Sequence, residues 1–355
     1  MNNNKSDSLQ SFNYLVCVRC FTFNHARYIT DALNGFSIQE TSFPFVCTIV
    51  DDASTDGEQD VISNYLQENF DLKDKNTCRE KETDDYRLAF AQHKNNKNCF
   101  FAVLYLKYNH YSNFNIESRK FQYISEWHDN AKYSALCEGD DYWIDPLKLQ
   151  KQVDFMETHP DYGMVYTAHR RYIQEAGRFV EGHNMCQNFN DLLFANKIAT
   201  HTVMLRLSLW RDYNKEIGPI ANQRQWKMGD TPLWLYVMAH SKAEYLPNIT
   251  GVYRQLKNSA SHFTSFEQDR DFWISHYDMS LFFAMRYNVP VRIQKKIAID
   301  EVEYLLGMAQ SYNTNLCFPF FKHLKENGIF SWQRYVSSKM RSYRLGRKLY
   351  SVFKS

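Results

Sequence analysis

The amino-acid sequence predicts an α/β fold built on a mostly parallel central sheet flanked by helices, with a helical C-terminal extension. Three observations carry that expectation. Strand-like and helix-like patterns alternate through the first half of the chain. Two acidic clusters, Asp51-Asp52 and Glu138-Gly139-Asp140-Asp141, each follow a strand pattern directly. From about residue 266 only amphipathic helical spacing remains. Alternating strands and helices form sheets covered on both faces. Ligands of such sheets bind beyond the carboxyl ends of the strands, and both acidic clusters fall on that edge.

The elements follow in order. Tyr14–Cys20 is a short apolar run interrupted by Arg19. Residues 28–36 carry Tyr28, Ile29, Ala32, Leu33 and Phe36 at helical spacing. Phe45–Val50 is a second strand, ending in the turn residues Asp51 to Gly57. Val61, Ile62, Tyr65 and Leu66 mark the next helix. Residues 71–99 are polar and charged and read as an insertion or mobile loop. Phe100–Leu106 reads as a third strand, 119–130 as helical, and Tyr133–Cys137 as a fourth strand. Asp145-Pro146 has the form of a helix start, with Asp as N-cap and Pro in the first turn. Gly163–Thr167 is a fifth strand. Helices are expected at 267–287, 292–312 and 331–353.

At 355 residues, a prior of roughly 150 residues per domain suggests two domains. With 44% hydrophobic and 23% charged residues, the chain is globular rather than disordered. Gly (12) and Pro (8) are too scarce for a collagen or a linker. A formal charge of +2 gives no reason to expect nucleic acid as a partner. No run reaches the roughly 18 apolar residues of a membrane span. Residues 1–13 are polar, lack a signal-peptide core and are expected to be flexible. Eight cysteines are too few for a disulfide scaffold. Cys17 and Cys20 point to opposite faces of a strand, which argues against a shared metal or redox role. The simplest compartment is the reducing cytoplasm.

Three carboxylates within the four residues 138–141 repel one another, and such clusters persist where a cation or many donors neutralise them. Magnesium-like ions are held by one or two carboxylates together with substrate phosphates. Asp51-Asp52 could accept hydrogen bonds from a ribose hydroxyl or a base N–H; turn chemistry alone accounts for Ser54 to Gly57. Asp230, in Met228-Gly229-Asp230-Thr231-Pro232, reads on its own as an ordinary N-cap.

In combination, these segments resemble glycosyltransferase family 2 over about residues 14–262. Cys20-Phe21-Thr22-Phe23-Asn24-His25-Ala26-Arg27-Tyr28-Ile29 is similar to the family's P-T-Y-N-H-x-x-Y-I opening. Val50-Asp51-Asp52-Ala53-Ser54-Thr55-Asp56-Gly57 resembles its V-D-D-x-S-x-D-G. Ala135 to Trp143, followed by Asp145-Pro146, resembles its D-x-D region. The acidic sites follow one another at intervals of about 90 residues, in the family's order. The resemblance implies a GT-A nucleotide-diphospho-sugar transferase fold over 14–262, with 263–355 as a helical C-terminal region ending in a basic amphipathic tail.

It also implies roles by position. Thr22, Phe23, Asn24 and Asp52 would hold the uracil and ribose of a UDP-like nucleotide. Asp140 and Asp141 would serve the nucleotide and a Mn²⁺ or Mg²⁺ ion, with Asp141 the first choice of metal ligand and Glu138 beside it. Asp230 matches the family's catalytic base. Tyr253-Arg254 with Ser259-Ala260-Ser261-His262 resembles its late loop, so Arg254, Ser259 and Ser261 could reach diphosphate oxygens. The chain also departs from the family. Phe21 stands where Pro is common, Glu138 replaces the first Asp of D-x-D, and Leu256 stands where His is frequent. The Q-x-x-R-W motif of processive synthases is absent, since Gln223-Arg224-Gln225-Trp226 has the wrong spacing.

The resemblance therefore implies a non-processive, inverting, metal-dependent transfer of a sugar from a nucleotide-sugar, UDP-linked by preference. The acceptor would be a hydroxyl of a glycan or lipid-linked molecule in bacterial surface polysaccharide synthesis, such as lipopolysaccharide or capsule. Two other readings stay open: a metal-dependent phosphoryl-transfer enzyme using Asp51 and Asp52, and an inactive nucleotide-sugar-binding module. His201 reads as a strand histidine satisfied by its neighbours rather than an acceptor contact. The C-terminus adds one more feature. Residues 332–355 hold seven basic residues and no acidic one, so the rest of the chain carries 35 basic against 40 acidic residues. Trp332, Tyr335, Val336, Met340, Tyr343, Tyr350 and Phe353 share one side of a helical wheel. That pattern fits either an interfacial helix on the anionic inner face of the cytoplasmic membrane or a helix packed on the protein.

Overall fold

The computed structural model describes residues 14–74, 77–113, 119–182, 187–257 and 265–312, and positions 325 and 335. The expected flexible N-terminus, the Ser259–His262 loop and the 331–353 helix with its basic tail lie outside the described residues, position 335 apart. The described chain divides into two compact units that interleave in sequence. The first takes residues up to Asn188, Lys197–Lys215 and His240–Lys257; the second takes Phe189–Asn196, Glu216–Ala239 and the chain from Asn258.

The first unit holds an eleven-stranded sheet among the described residues. Its strands are β1 (Tyr14–Thr22), β2 (Phe45–Asp51), β3 (Arg79–Glu82), β4 (Tyr86–Gln92), β5 (Cys99–Leu106), β6 (Ala131–Leu136), β7 (Tyr142–Trp143), β8 (Tyr162–Ile173), β9 (Arg178–Glu181), β10 (Met204–Arg206) and β11 (Lys242–Gln255). The spatial order is β3-β4-β5-β2-β1-β6-β10-β8-β11-β7, with β9 on β8. The four central strands β5, β2, β1 and β6 are parallel, as the alternation predicts. β8 and β11 are parallel as well. The flanks are antiparallel: β10 pairs in that sense with both β6 and β8, and β4 with β5.

Burial explains the centre. Every residue of β2 is buried, as a strand covered on both faces requires. Helix Ile29–Ser37 turns Ile29, Ala32, Leu33 and Phe36 inward. Phe36 meets Trp143 and Phe101 edge to face, at 4.9 and 6.3 Å between centroids. Helices Glu58–Asn69 and Lys148–Thr158 add Ile62, Leu66, Val153 and Met156 to the same core.

Three expectations change. The 71–99 segment, read as a loop, contributes the β3–β4 hairpin to the sheet edge. There Leu88, Ala89 and Ala91 are buried and Phe90 stacks on Phe100. The 119–130 helix is two short ones, Arg119–Tyr123 and Ser125–His128. The helix expected to start at Asp145-Pro146 begins at Lys148. Asp145 caps the preceding turn instead, accepting from Leu147 N at 2.9 Å and from Lys151 Nζ at 2.6 Å.

The second unit is helical where it is described. Its helices include Gly218–Arg224, Thr231–His240, Phe266–Arg286 and Val291–Tyr312. Ser265 caps the third through Gln268 N at 3.2 Å, with Glu267 and Asp269 in its first turn, the charge sign favoured at a helix N-terminus. Trp273 packs on Tyr304 at 4.3 Å, joining the last two helices.

Candidate functional site

Parallel neighbours carry their carboxyl ends to one edge, and here β1, β2 and β6 are neighbours. Thr22 at the end of β1 pairs in register with Asp51 at the end of β2. Asp52 N donates to Thr22 O at 2.9 Å, and Gly139 N donates to Phe21 O at 3.1 Å. The three segments picked out in the sequence therefore meet. Their contact needs a glycine at 139, because a Cβ there would lie 2.0 Å from Thr22 Oγ1.

The 22–27 and 51–58 loops are tied together by side chains. Asn24 and Ala53 adopt left-handed backbone, at φ 57° and 62°. Asn tolerates this; Ala pays roughly 1–2 kcal/mol. Asn24 Oδ1 accepts from Thr55 N at 2.8 Å, Ser54 Oγ accepts from Asn24 N at 2.8 Å, and Asp56 accepts from Ala26 N at 2.9 Å. Glu58 sits beneath them with no exposure. It accepts from the Thr22 hydroxyl, from His25 N at 2.8 Å and from Ser54 Oγ at 2.9 Å. Burial raises its pKa and these donors oppose the rise. Glu58 is absent from the sequence reading, where it looks like an ordinary first-turn acid.

The two aspartates ending β2 face different ways. Asp51 is fully buried and accepts from Ser54 N at 3.1 Å and Gln59 Nε2 at 2.6 Å; burial raises its pKa. Asp52 Oδ1 accepts from His110 N at 2.6 Å and Oδ2 from Tyr111 N at 2.9 Å. Both carboxylate oxygens of Asp52 thus hold the loop after β5. Phe23, the next expected nucleotide contact, is 41% exposed and available as a stacking surface. Beside the Asp51 turn a cavity of about 430 Å³ is lined by residues including Ser54, Gln59, Arg87, Tyr105 and Lys107.

The Glu138–Asp141 turn is electrostatically crowded. Burial pushes Glu138 up to about 7, with Asp140 and Asp141 adding to the rise and Arg19 and Lys120 opposing it. Asp140 rises to about 6 through burial and Asp141, against His25. Its Oδ2 lies 4.0 Å from His25 Nε2. Asp141 rises to about 7 by burial. Its Oδ1 accepts from Arg254 N at 2.8 Å, and its Oδ2 lies 3.2 Å from His201 Nδ1. His201 is fully buried, and burial holds its pKa down at about 3, so the ring is neutral.

Arg254 closes this side of the site. Nε donates to Asp140 O at 2.9 Å, Nη1 to Gln174 at 2.8 Å and Nη2 to Asp31 at 2.6 Å. Tyr28 and Tyr142 present their ring faces to the guanidinium at 4.8 and 5.1 Å. In this structure Arg254 supports the acidic turn; its predicted neighbours Ser259 and Ser261 lie outside the described residues.

The donor set at 138–141 suits a hard divalent cation. It offers three closely spaced carboxylates whose pKa values are raised chiefly by burial, oxygen donors of the kind such an ion takes. Among the described residues no three His, Cys, Asp or Glu side chains are already gathered as a metal cage. Asp140 has the less engaged carboxylate, and Asp141 the more engaged one.

Asp230 belongs to the second unit. Its Oδ1 accepts from Thr231 N at 2.6 Å and Thr231 Oγ1 at 3.1 Å, and Oδ2 from Asn196 Nδ2 at 3.3 Å. Locally it opens helix Thr231–His240. No helix among the described residues is long and apolar enough to cross a membrane.

No family model matches the chain. It is 26% identical over 265 residues to uncharacterized proteins of Mycobacterium tuberculosis and Mycobacterium bovis. The match covers 71% of this chain and 62% of theirs, so the chain spans less than two thirds of their length. Similar solved structures include TarS of S. aureus in complex with UDP, at TM-score 0.47 and 14% identity over 93% of this chain and 82% of that one. A mannosyltransferase from Pyrobaculum calidifontis, in complex with GDP-Man and Mn²⁺, has TM-score 0.48 and 11% identity over 98% and 89%.

Proposed function

We propose that this chain is a non-processive, inverting, metal-dependent glycosyltransferase. It would move a sugar from a nucleotide-sugar, UDP-linked by preference, to a hydroxyl of a glycan or lipid-linked acceptor. Bacterial surface polysaccharide synthesis is the setting that the sequence resemblance suggests. The observation that carries the reading is the meeting of Thr22, Asp52 and the Glu138–Asp141 turn on three adjacent parallel strand ends. These are the segments that resemble glycosyltransferase family 2, on the edge where such sheets bind ligands. A phosphoryl-transfer reading needs an accessible nucleophilic Asp, whereas Asp51 is fully buried and Asp52 engages both carboxylate oxygens with the loop after β5.

The proposed chemistry divides among named residues. Phe23 offers a face to the base and Asn24 shapes the loop beside it. Asp140, with Glu138 and Asp141, would hold Mn²⁺ or Mg²⁺, which when bound supplies positive charge for a departing diphosphate. Arg254 keeps the acidic turn in place. Asp230 acts as general base: it takes the acceptor hydroxyl proton as that oxygen bonds to the anomeric carbon. The carbon–oxygen bond to the diphosphate breaks, and its electron pair leaves with the nucleoside diphosphate. We place residues 14–262 as the catalytic part and 263–355 as a helical region. The basic tail would let a cytoplasmic enzyme rest on an anionic membrane surface.

The test is a panel of UDP-, GDP- and dTDP-sugars with Mn²⁺, following nucleotide binding and nucleotide release with acceptor extracts. Release of nucleoside diphosphate that Asp230→Asn lowers by roughly 10²–10⁴-fold, with donor affinity kept, is the expected result. Near-normal turnover by that variant would remove Asp230 as the base. Binding without release would favour an inactive module.

A further inference from the structure

One lysine at the site, most of its side chain buried, has no partner assigned by the reading above. Lys120 lies in helix Arg119–Tyr123 and is 6% exposed. Its ammonium sits 4.8 Å from the ring centroid of Phe21 and 5.6 Å from that of Tyr111. Among the described residues it makes neither a hydrogen bond nor an ion pair within 4.0 Å. The two rings locate it. Phe21 O receives Gly139 N, at the start of the acidic turn, and Tyr111 N donates to Asp52. The ammonium thus lies beside side chains of two residues whose backbones touch the acidic segments, and it is near enough to Glu138 for its charge to oppose the rise in that carboxyl's pKa. Phe121 packs edge to face on Phe21 at 5.4 Å and adds apolar cover.

Aromatic faces attract an ammonium but offer no oxygen to its three N–H donors. Arg19, the other cation here, is spread over Phe21 and Trp210, at 4.8 and 4.5 Å. Lysine is a donor-only point charge, matched by an anionic oxygen rather than by a planar fork. A ligand that brings negative charge would supply what the protein leaves out.

We propose that Lys120 is a phosphate-recognising residue, donating to a phosphate oxygen of the nucleotide bound at the β1–β2–β6 edge. This rests on the nucleotide-sugar reading. It assigns to a residue outside the family-like motifs the charge-assisted contact that holds the donor's diphosphate. The competing assignment for the same ammonium is a carbonyl oxygen of the base.

Binding measurements on the full chain separate the two. Uridine, UMP and UDP, and in parallel guanosine, GMP and GDP, are titrated by calorimetry into the wild type, Lys120→Met, Lys120→Gln and Lys120→Arg. Loss of a charge-assisted hydrogen bond predicts a roughly 10–100-fold weaker diphosphate affinity in Met and Gln. Nucleoside affinity stays unchanged, and Arg recovers most of the loss. Thermal unfolding of each variant confirms that it folds; Gln serves if Met does not. An equal loss for nucleoside and diphosphate overturns the phosphate assignment in favour of the base. Unchanged diphosphate affinity overturns any binding role for Lys120. Failure of the wild type to bind every compound overturns the nucleotide reading and this proposal with it.

Discussion

Gly139→Ala tests how tightly the acidic turn is pressed against β1. The new Cβ would lie 2.0 Å from Thr22 Oγ1, 2.5 Å from Thr22 Cβ and 3.2 Å from His25 Nδ1. Thr22 cannot simply rotate away, because its hydroxyl donates to Glu58, a carboxylate with no exposure. Either the turn retreats and loses the 3.1 Å bond from Gly139 N to Phe21 O, or Thr22 swings and leaves Glu58 short of a donor. Overpacking of this kind costs about 1–3 kcal/mol. A buried polar group left unsatisfied costs about 1–3 kcal/mol more. The expected destabilisation is therefore roughly 2–6 kcal/mol, read as a shift in urea midpoint at constant slope. In a Thr22→Gly background both short contacts vanish, and the increment from Gly139→Ala should shrink by more than about 1 kcal/mol. A Gly139→Ala chain within about 0.5 kcal/mol of wild type, or an increment blind to residue 22, would refute the reasoning.

Three further predictions follow from buried charges. Lys148 is fully buried, with Nζ on Gln152 Oε1 at 2.6 Å, and burial holds its pKa down at about 7. Unfolded lysine titrates near 10.4. Between those values the unfolded chain binds the extra proton, so stability rises with pH across that window and is flat below it. The wild type should gain about 1 kcal/mol relative to Lys148→Met between pH 7 and 8; a constant difference in urea midpoints would contradict this. Arg254→Met leaves Gln174 and the Asp140 carbonyl without their donor and Asp31 without its ion pair. A loss of roughly 2–4 kcal/mol is expected, and a neutral effect would show that the turn stands unaided. Asp140→Asn should weaken the gain in nucleotide affinity that Mn²⁺ produces, measured by titration with and without the ion. The same gain in both proteins would place the metal elsewhere.

The parallel centre of the sheet was legible because its strands are self-sufficient patterns. Phe45–Val50, Thr48 apart, and Cys99–Leu106 are apolar along their length, so burial on both faces can be read from composition. The flanks were not, because distant partners create them. All four residues of Arg79–Glu82 are exposed, and only pairing with β4 makes them a strand. β11 runs fourteen residues with Asn, Thr and Arg among them, and its register comes from β8 rather than from its own pattern. The site divides in the same way. Two of its three segments announced themselves as acidic turns after strands, and the third, Cys20–Ile29, by its resemblance to the family's opening motif. Glu58 did not, since its burial depends on Thr22, His25 and Ser54 converging on it. Arg254 was visible as a cation at the right place, but its partners Asp31 and Gln174 lie 223 and 80 residues away.

That separation also sets an order of assembly during synthesis. The backbone donor that Arg254 provides to Asp141 is made 113 residues after it. At about 5–20 residues per second, that interval is roughly 6–23 s. Throughout it β1, β2 and β6 can already pair, while their acidic edge lacks its strap and repels itself. A nascent chain in that window is a half-built sheet with an open β8 edge, the kind of species that chaperones hold. Release of the nascent chain before residue 254 would leave the edge without that donor.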